Sequence, residues 1–449
     1  MTRTLIGVSF VAALVLLAGE GAARRAESGG AGSAEQAWVE ETLKGMSLRE
    51  RAGQLVMRAV QADVAGDRKA ELKRQLAELA LGGVIVRGGS PKELAALTNE
   101  LQTTARLPLF VAADYERGLR MQMKSGTPFT NNMGVAAAGD TRAAYEQAKV
   151  TAMEARAVGV NWLFGPVADL NNNPDNPVIN VRSFGESPRR VGEFVAAAVR
   201  GARDGGALST AKHFPGHGDT AVDSHIGLAT IRADRARLDR VELVPFRAAI
   251  NAGVGAVMTA HVALPQVTGD ELPASLSPKV TTDLLRRELK FDGLVVTDSL
   301  GMGAITRGFP GGEAAARAIK AGADVALGSP DPKLAVEAIE RAVRAGEIPE
   351  GRLNESVRRV LRAKYRLGLA NVRTVDAAAA AGAIERPEAV ETARRVAEKS
   401  ITLLRNGGGL LPLSRERAAR ALFVVIAADE DPEEGRTFQP EVERRTPEA

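Results

Sequence analysis

The sequence predicts an α/β protein, a TIM-like (β/α)8 barrel followed by a short C-terminal appendage. Three observations predict it. Eight short, nearly all-apolar runs recur along the chain, amphipathic stretches separate most of them, and polar residues collect where the runs end. Strands apolar on both faces and separated by helices belong to a parallel sheet covered on both sides. Eight such units over ~320 residues fit a closed barrel with some long loops. An open doubly wound sheet is the alternative, but no Gly-rich phosphate turn follows the first strand.

Residues 1–30 are expected to precede the fold. Arg3 supplies a basic start, Leu5–Ala18 an apolar run, and Gly21, Ala22 and Ala23 a small-residue cleavage site. A spanning helix needs about 20 apolar residues, so the segment is expected to be a secretory signal peptide. The mature chain would then be exported, periplasmic or extracellular, with no stable membrane span, and a monomer is expected.

The barrel is expected over residues 36–370. Its strands are Gln54–Ala59, Gly83–Arg87, Leu109–Asp114, Val160–Phe164, Leu208–His213, Ala256–His261, Leu294–Asp298 and Ala323–Gly328. Between them, Pro91–Ala105, Thr141–Val158, Pro188–Gly205 and Thr281–Leu289 carry helical periodicity. Asp114, Lys212 with His213, His261 and Asp298 stand at strand ends, where a barrel builds its active site. Residues 371–386 look like a linker. Residues 387–449 hold a helix and two apolar runs, including Ala421–Ala427, as a truncated or partial second domain. Every candidate site residue precedes Leu369, so a chain ending near there is expected to fold and retain some activity.

Composition narrows the function. Of 449 residues, 45% are hydrophobic and 25% charged, which excludes global disorder, collagen and a multi-span membrane protein. Lys+Arg 59 against Asp+Glu 55 leaves +4, without the dense basic run of a nucleic-acid tail. Cysteine is absent, so disulfides, thiolate nucleophiles and iron–sulfur clusters are excluded.

Of four histidines, three fall within thirteen residues, in Lys212–His225 (KHFPGHGDTAVDSH). His213 and His217 have the i, i+4 spacing of a zinc helix, but Pro215, Gly216 and Gly218 forbid a regular helix and no HExxH pattern is present. No metal and no cofactor are expected. Acid/base work is the stronger reading: Asp223, two residues from His225, is placed to orient the imidazole and raise its basicity. Loop stabilisation by these polar residues is the plainer alternative.

The KHFPGHGDTAVDSH loop resembles that of the β-N-acetylglucosaminidases of glycoside hydrolase family 3. A second motif agrees: Leu284–Glu288 (LLRRE), then Gly293–Gly301 (GLVVTDSLG), is similar to the active-site signature of the same family. The similarity extends over roughly residues 40–370, and the ITLLRNGGGLLPL stretch resembles the opening of the α/β sandwich domain of larger members. The resemblance implies a retaining hydrolase of terminal N-acetyl-β-glucosaminyl units, from peptidoglycan or chitin fragments. Asp298 would be the nucleophile, and His225, partnered by Asp223, the acid/base. Asp114, Arg182, Lys212 and His213 match residues that grip the sugar, and His261 and Met302 flank the pocket by strand position. Relatives carry an Arg eight residues after the strand-end Asp. Here Gln122 stands there, with Arg120 two residues earlier as a compensating candidate. A β-glucosidase or xylosidase, a phosphorylase of the same family and a catalytically weak sugar-binding protein are the alternatives.

Overall fold

The computed structural model describes residues 32–409, 411–414, 417 and 438–445. Residues 1–30 and the run Ala421–Ala427 lie outside the described residues. Strands β1 (Val56–Gln61), β2 (Gly83–Arg87), β3 (Phe110–Ala113), β4 (Trp162–Leu163) and β5 (Leu208–Phe214) follow one another as parallel neighbours. A two-residue strand, β6 (Ala229–Thr230), stands outside this sheet. β7 (Ala256–Thr259) then joins β5; β8 (Val262–Ala263) pairs with β6 as a side ribbon. β9 (Leu294–Thr297) joins β7, and β10 (Ala326–Leu327) pairs with β1. A parallel bridge between Val296 and Val325 closes the ring. All eight expected strands are present, as a parallel barrel.

Burial explains why these segments are strands. β3 (FVAA), β7 (AVMT) and β9 (LVVT) are buried at every position, as expected where helices cover one face and the barrel interior fills the other. Trp162 joins three strands: its ring meets Phe110 edge-on at 4.8 Å, and its Nε1–H donates to Thr210 Oγ1 at 2.7 Å. The helices begin where the sequence punctuates them. Ser90 and Glu93 form a reciprocal capping box with Pro91 at the first helical position, and Asp140 and Asp331 cap Thr141–Ala157 and Pro332–Arg344. The helix expected at Thr281–Leu289 is wound as a π-helix over Lys279–Glu288, with Leu289 N–H reaching Leu284 O.

The floor of the barrel is tied by a buried carboxylate. Asp324 accepts from Arg286, from Ser356 Oγ at 2.6 Å and from Val295 N–H at 3.0 Å. Arg286 belongs to the LLRRE motif, which therefore braces the end of the barrel away from Asp298.

Residues 371–386 lie along the barrel. Asn99 exchanges two hydrogen bonds with Val375 (2.7 and 2.8 Å), and Ala380 and Ile384 are buried. Glu385 accepts from Gly126 N–H at 2.8 Å and donates its own N–H to Glu154 Oε1 at 2.9 Å. The helix Pro387–Ser400 buries Ala393 and Val396 and packs on the helices Asn132–Ala137 and Thr141–Ala157. The described residues up to Ser400 form one compact unit; a second unit begins at Ile401 and contains the helix Phe438–Arg445. Among the described residues, no helix is long and apolar enough to cross a membrane.

Candidate active site

The carboxyl ends of β3, β4, β5, β7 and β9 and the loops that follow them supply the site. Between Lys212 and Phe214 the register of β5 against β7 shifts. Such a bulge re-aims side chains, and the consecutive residues Lys212 and His213 both find carboxylate partners here. Lys212 Nζ donates to Asp114 Oδ1 at 2.9 Å and lies 2.8 Å from Glu116 Oε1. Arg182, on a short turn after β4, grips both oxygens of Glu116 at 2.7 and 3.0 Å. Asp114, Glu116, Arg182 and Lys212 are thus one ion cluster, with Lys212 and Glu116 almost wholly buried.

Burial by itself raises the pKa of Glu116, but the charges of Lys212 and Arg182 outweigh it and hold the carboxyl far below the usual range. Burial pulls the Lys212 pKa down, and Asp114 and Glu116 overcome that and raise it. Glu116, Lys212 and Arg182 therefore stay charged at neutral pH. A fixed, largely buried array of this kind gives a polar ligand strong, oriented hydrogen bonds.

His213 is held by Asp169, a buried carboxylate from the loop after β4. Its Nδ1 lies 2.6 Å from Asp169 Oδ2, its backbone N–H also points at the carboxylate, and His217 N–H donates to Oδ1 at 2.7 Å. Asp298 follows β9 and is partly exposed. Its N–H bonds Thr259 O at 2.9 Å, and its Oδ1 accepts from Ser299 N–H at 2.7 Å. Burial raises its pKa, yet His213, His261, the Ser299 N–H and Lys212 together bring it to about 2. The carboxylate is ionised across the physiological range and aimed by a rigid strand. That is what a nucleophile requires.

His261 is fully buried, and burial lowers its pKa. As the neutral ring, its Nε2–H donates to Ser299 O at 2.9 Å and its Nδ1 accepts from Ser275 Oγ at 2.7 Å. Both nitrogens are engaged, so the ring holds the backbone beside Asp298. Met302 is buried in the turn beyond, its N–H bonded to Ser299 O.

His225 contrasts with the other histidines, its side chain being 63% exposed. Asp223 Oδ1 accepts from both its backbone N–H and its Nδ1 at 2.8 Å. Burial raises the Asp223 pKa, and the two His225 hydrogen bonds and the imidazole charge lower it further than that. With Nδ1–H committed to Asp223, Nε2 is the atom available to exchange a proton with a ligand. The loop is anchored: Ser224 Oγ pairs with His217 Nε2 at 2.8 Å, and Gly303 N–H donates to His225 O at 3.0 Å.

Two expected residues stand apart. Arg120 is half exposed, with its Nε 3.8 Å from Glu385 Oε1, and Gln122 is partly buried; among the described residues neither shows a contact with the ion cluster. Two carboxylates that hold site residues, Glu116 and Asp169, escape the sequence argument. Glu116 had a signal, standing two residues after the strand-end Asp114 and so able to face the same way. Asp169 had a fainter one, a single charge in the apolar stretch FGPVADL.

Residues 47–363 match the family model described as the glycosyl hydrolase family 3 N terminal domain. A β-N-acetylglucosaminidase/β-glucosidase of Cellulomonas fimi is 36% identical over 395 residues, 86% of this chain and 69% of that one. Among solved structures, a glycoside hydrolase family 3 β-N-acetylglucosaminidase from Paenibacillus sp. str. FPU-7 superposes with a TM-score of 0.76 at 43% identity, covering 81% of this chain and 70% of the other. A β-glucoside phosphorylase, BglX, reaches a TM-score of 0.83 at 31% identity, over 92% of this chain and 76% of its own.

Proposed function

Because the chain belongs to glycoside hydrolase family 3, we propose that it releases terminal N-acetyl-β-D-glucosamine from oligosaccharides through a covalent glycosyl-Asp298 intermediate. The observation that carries the reading is the His225–Asp223 pair, on a loop seated against the turn that follows Asp298. The likeness to the Paenibacillus and Cellulomonas enzymes supports the sugar. The basic-then-apolar start of the chain supports export.

In the first step the Asp298 carboxylate attacks the anomeric carbon while protonated His225 gives its Nε2 proton to the departing oxygen, so the glycosidic bond breaks as the ester forms. In the second, neutral Nε2 takes a proton from water. That water attacks the anomeric carbon, and Asp298 leaves as carboxylate. Asp223 keeps the Nδ1–H and stabilises the imidazolium in both steps. Lys212, Arg182 and Asp114 hold the sugar hydroxyls. A histidine in place of a second carboxylate adds no negative charge beside the nucleophile.

His225→Ala tests the reading. Nitrophenolate leaves without much help, so on nitrophenyl N-acetyl-β-glucosaminide the first step should suffer far less than on a disaccharide, and the intermediate should accumulate as a burst. Equal slowing of good and poor leaving groups, without rescue by azide, would remove His225 from the mechanism. Phosphorolysis is a second reading, favoured by the likeness to the β-glucoside phosphorylase and by an acid/base that does not repel an anionic acceptor. Product analysis with and without inorganic phosphate separates the two, since only phosphorolysis yields the sugar 1-phosphate.

A further inference from the structure

His225 depends on its loop for its place. Its side chain is bonded to Asp223, two residues before it, so the pair can act on Asp298 only if something beyond the turn 223–225 fixes both. Two seats do so. On one side, Ser224 is almost wholly buried and its Oγ pairs with His217 Nε2 at 2.8 Å. His217 is itself held at Nδ1 by Thr220 Oγ1 and at its backbone N–H by Asp169. On the other side, the turn after Asp298 presents bare backbone: Gly303 N–H donates to His225 O at 3.0 Å and Ala304 N–H to Ser224 O at 3.4 Å.

Gly303 is a glycine for want of room. A Cβ there would lie 2.7 Å from the carbonyl oxygens of both His225 and Ile226 and 3.1 Å from the Ile226 carbonyl carbon. These are backbone atoms with no rotamer to escape into, and ordinary van der Waals contact begins at 3.4 Å. Any side chain at 303 therefore pushes the loop outward by about 0.7 Å. It does so at the peptide that carries the imidazole, five residues along the chain from the nucleophile.

We propose that Gly303 is a positioning residue: the seat on which the acid/base loop docks, setting the separation between the His225 imidazole and the Asp298 carboxylate. The proposal rests on the reading of His225 as acid/base. A retaining mechanism tolerates little error in that separation, because the two groups work on one anomeric centre within a single step. A misplacement of about 1 Å costs roughly 10²-fold, and the loss falls on proton transfer while Asp298 stays on its strand.

The experiment uses the full chain carrying Gly303→Ala, with Ser224→Ala as a second variant that removes the other seat without adding bulk. Gly303→Ala should lower kcat/KM on the disaccharide of N-acetylglucosamine by about 30- to 100-fold. Its pre-steady-state burst on the dinitrophenyl glycoside should stay within about fivefold of the parent, because that leaving group needs little protonation. Combined with His225→Ala it should add no further loss, since both variants remove the same proton transfer. Amide hydrogen exchange over residues 217–228 should quicken in both single variants. Equal losses on the two substrates would overturn the proposal, as would parent-like kinetics with parent-like exchange. If His225→Ala itself showed no leaving-group preference, the acid/base reading would fall, and the exchange rates would then decide docking alone. If Gly303→Ala did not fold, Ser224→Ala would decide it by the same two readouts.

Discussion

Replacing Glu116 by Gln should be among the most damaging single changes in the Asp114–Glu116–Arg182–Lys212 ion cluster, for stability and affinity together. The Glu116 carboxylate is almost wholly buried, takes a bidentate bond from Arg182 at 2.7 and 3.0 Å, and lies 2.8 Å from Lys212 Nζ. The amide keeps the shape but gives up the charge, and with its oxygen at the Oε1 position its NH2 turns a donor toward Arg182 Nε. Breaking a buried pair by neutralising one partner costs about 3–5 kcal/mol. At about 2 °C per kcal/mol, the low end for large domains, that is a fall in Tm of about 6–10 °C. Arg182 and Lys212 would lose their common anchor, so KM for the N-acetylglucosaminide should rise at least tenfold. pH gives a second handle. The folded pKa of Glu116 is depressed, so its contribution is fully present above the unfolded carboxyl pKa of about 4.3 and is lost as pH falls toward the folded value. The gap in Tm between parent and variant should be widest near pH 7 and shrink below about pH 4. Calorimetry and initial rates at pH 7 and pH 3.5 measure all of this. A gap under 2 °C at pH 7, or one that widens in acid, would refute the electrostatic argument.

Asp298→Asn should keep the fold, because the amide oxygen still accepts from Ser299 N–H, yet lose at least about 10³-fold in kcat, since an amide cannot form the glycosyl ester. Near-parent turnover on nitrophenyl substrate would withdraw the nucleophile assignment. A chain ending at Ser400 should fold and turn over like the parent. One ending at Leu369 should be poorly soluble or bind substrate weakly, because it strips Ile384, Ala393 and Val396 from the barrel surface and the Glu385 carboxylate from Gly126 N–H. Comparable circular dichroism melts and KM values for the two chains would show that residues 370–400 are dispensable.

That last comparison marks where sequence reasoning stops. In residues 371–386 the chain is alanine-rich and weakly patterned, and nothing in it announces docking. The docking rests on isolated contacts at Val375 and Glu385 with residues more than 200 positions away. The eight barrel strands were legible for the opposite reason: a strand covered on both faces must be apolar throughout, and GVIV or LVVT between two helices admits few other interpretations. The two-residue ribbon of β6 and β8 is too short to leave such a pattern. The His225–Asp223 pair was legible because its members are two residues apart.

By itself, then, the amino-acid sequence determined the parallel barrel, the strand ends that carry Asp114, Lys212, His213 and Asp298, and the local pairing of Asp223 with His225. Tertiary structure alone decided which charges meet. Glu116 joins Arg182 across 66 positions, Lys212 joins Asp114 across 98, and His213 joins Asp169 across 44. It also decided that His261 spends both nitrogens on Ser275 and Ser299, and that the His225 loop comes to rest on Gly303. The physical reason is that hydrophobic periodicity places a residue on an element, whereas ring closure, strand register and one bulge in β5 set the distances between elements. Hydrogen bonds and ion pairs form or fail within a few tenths of an ångström of those distances.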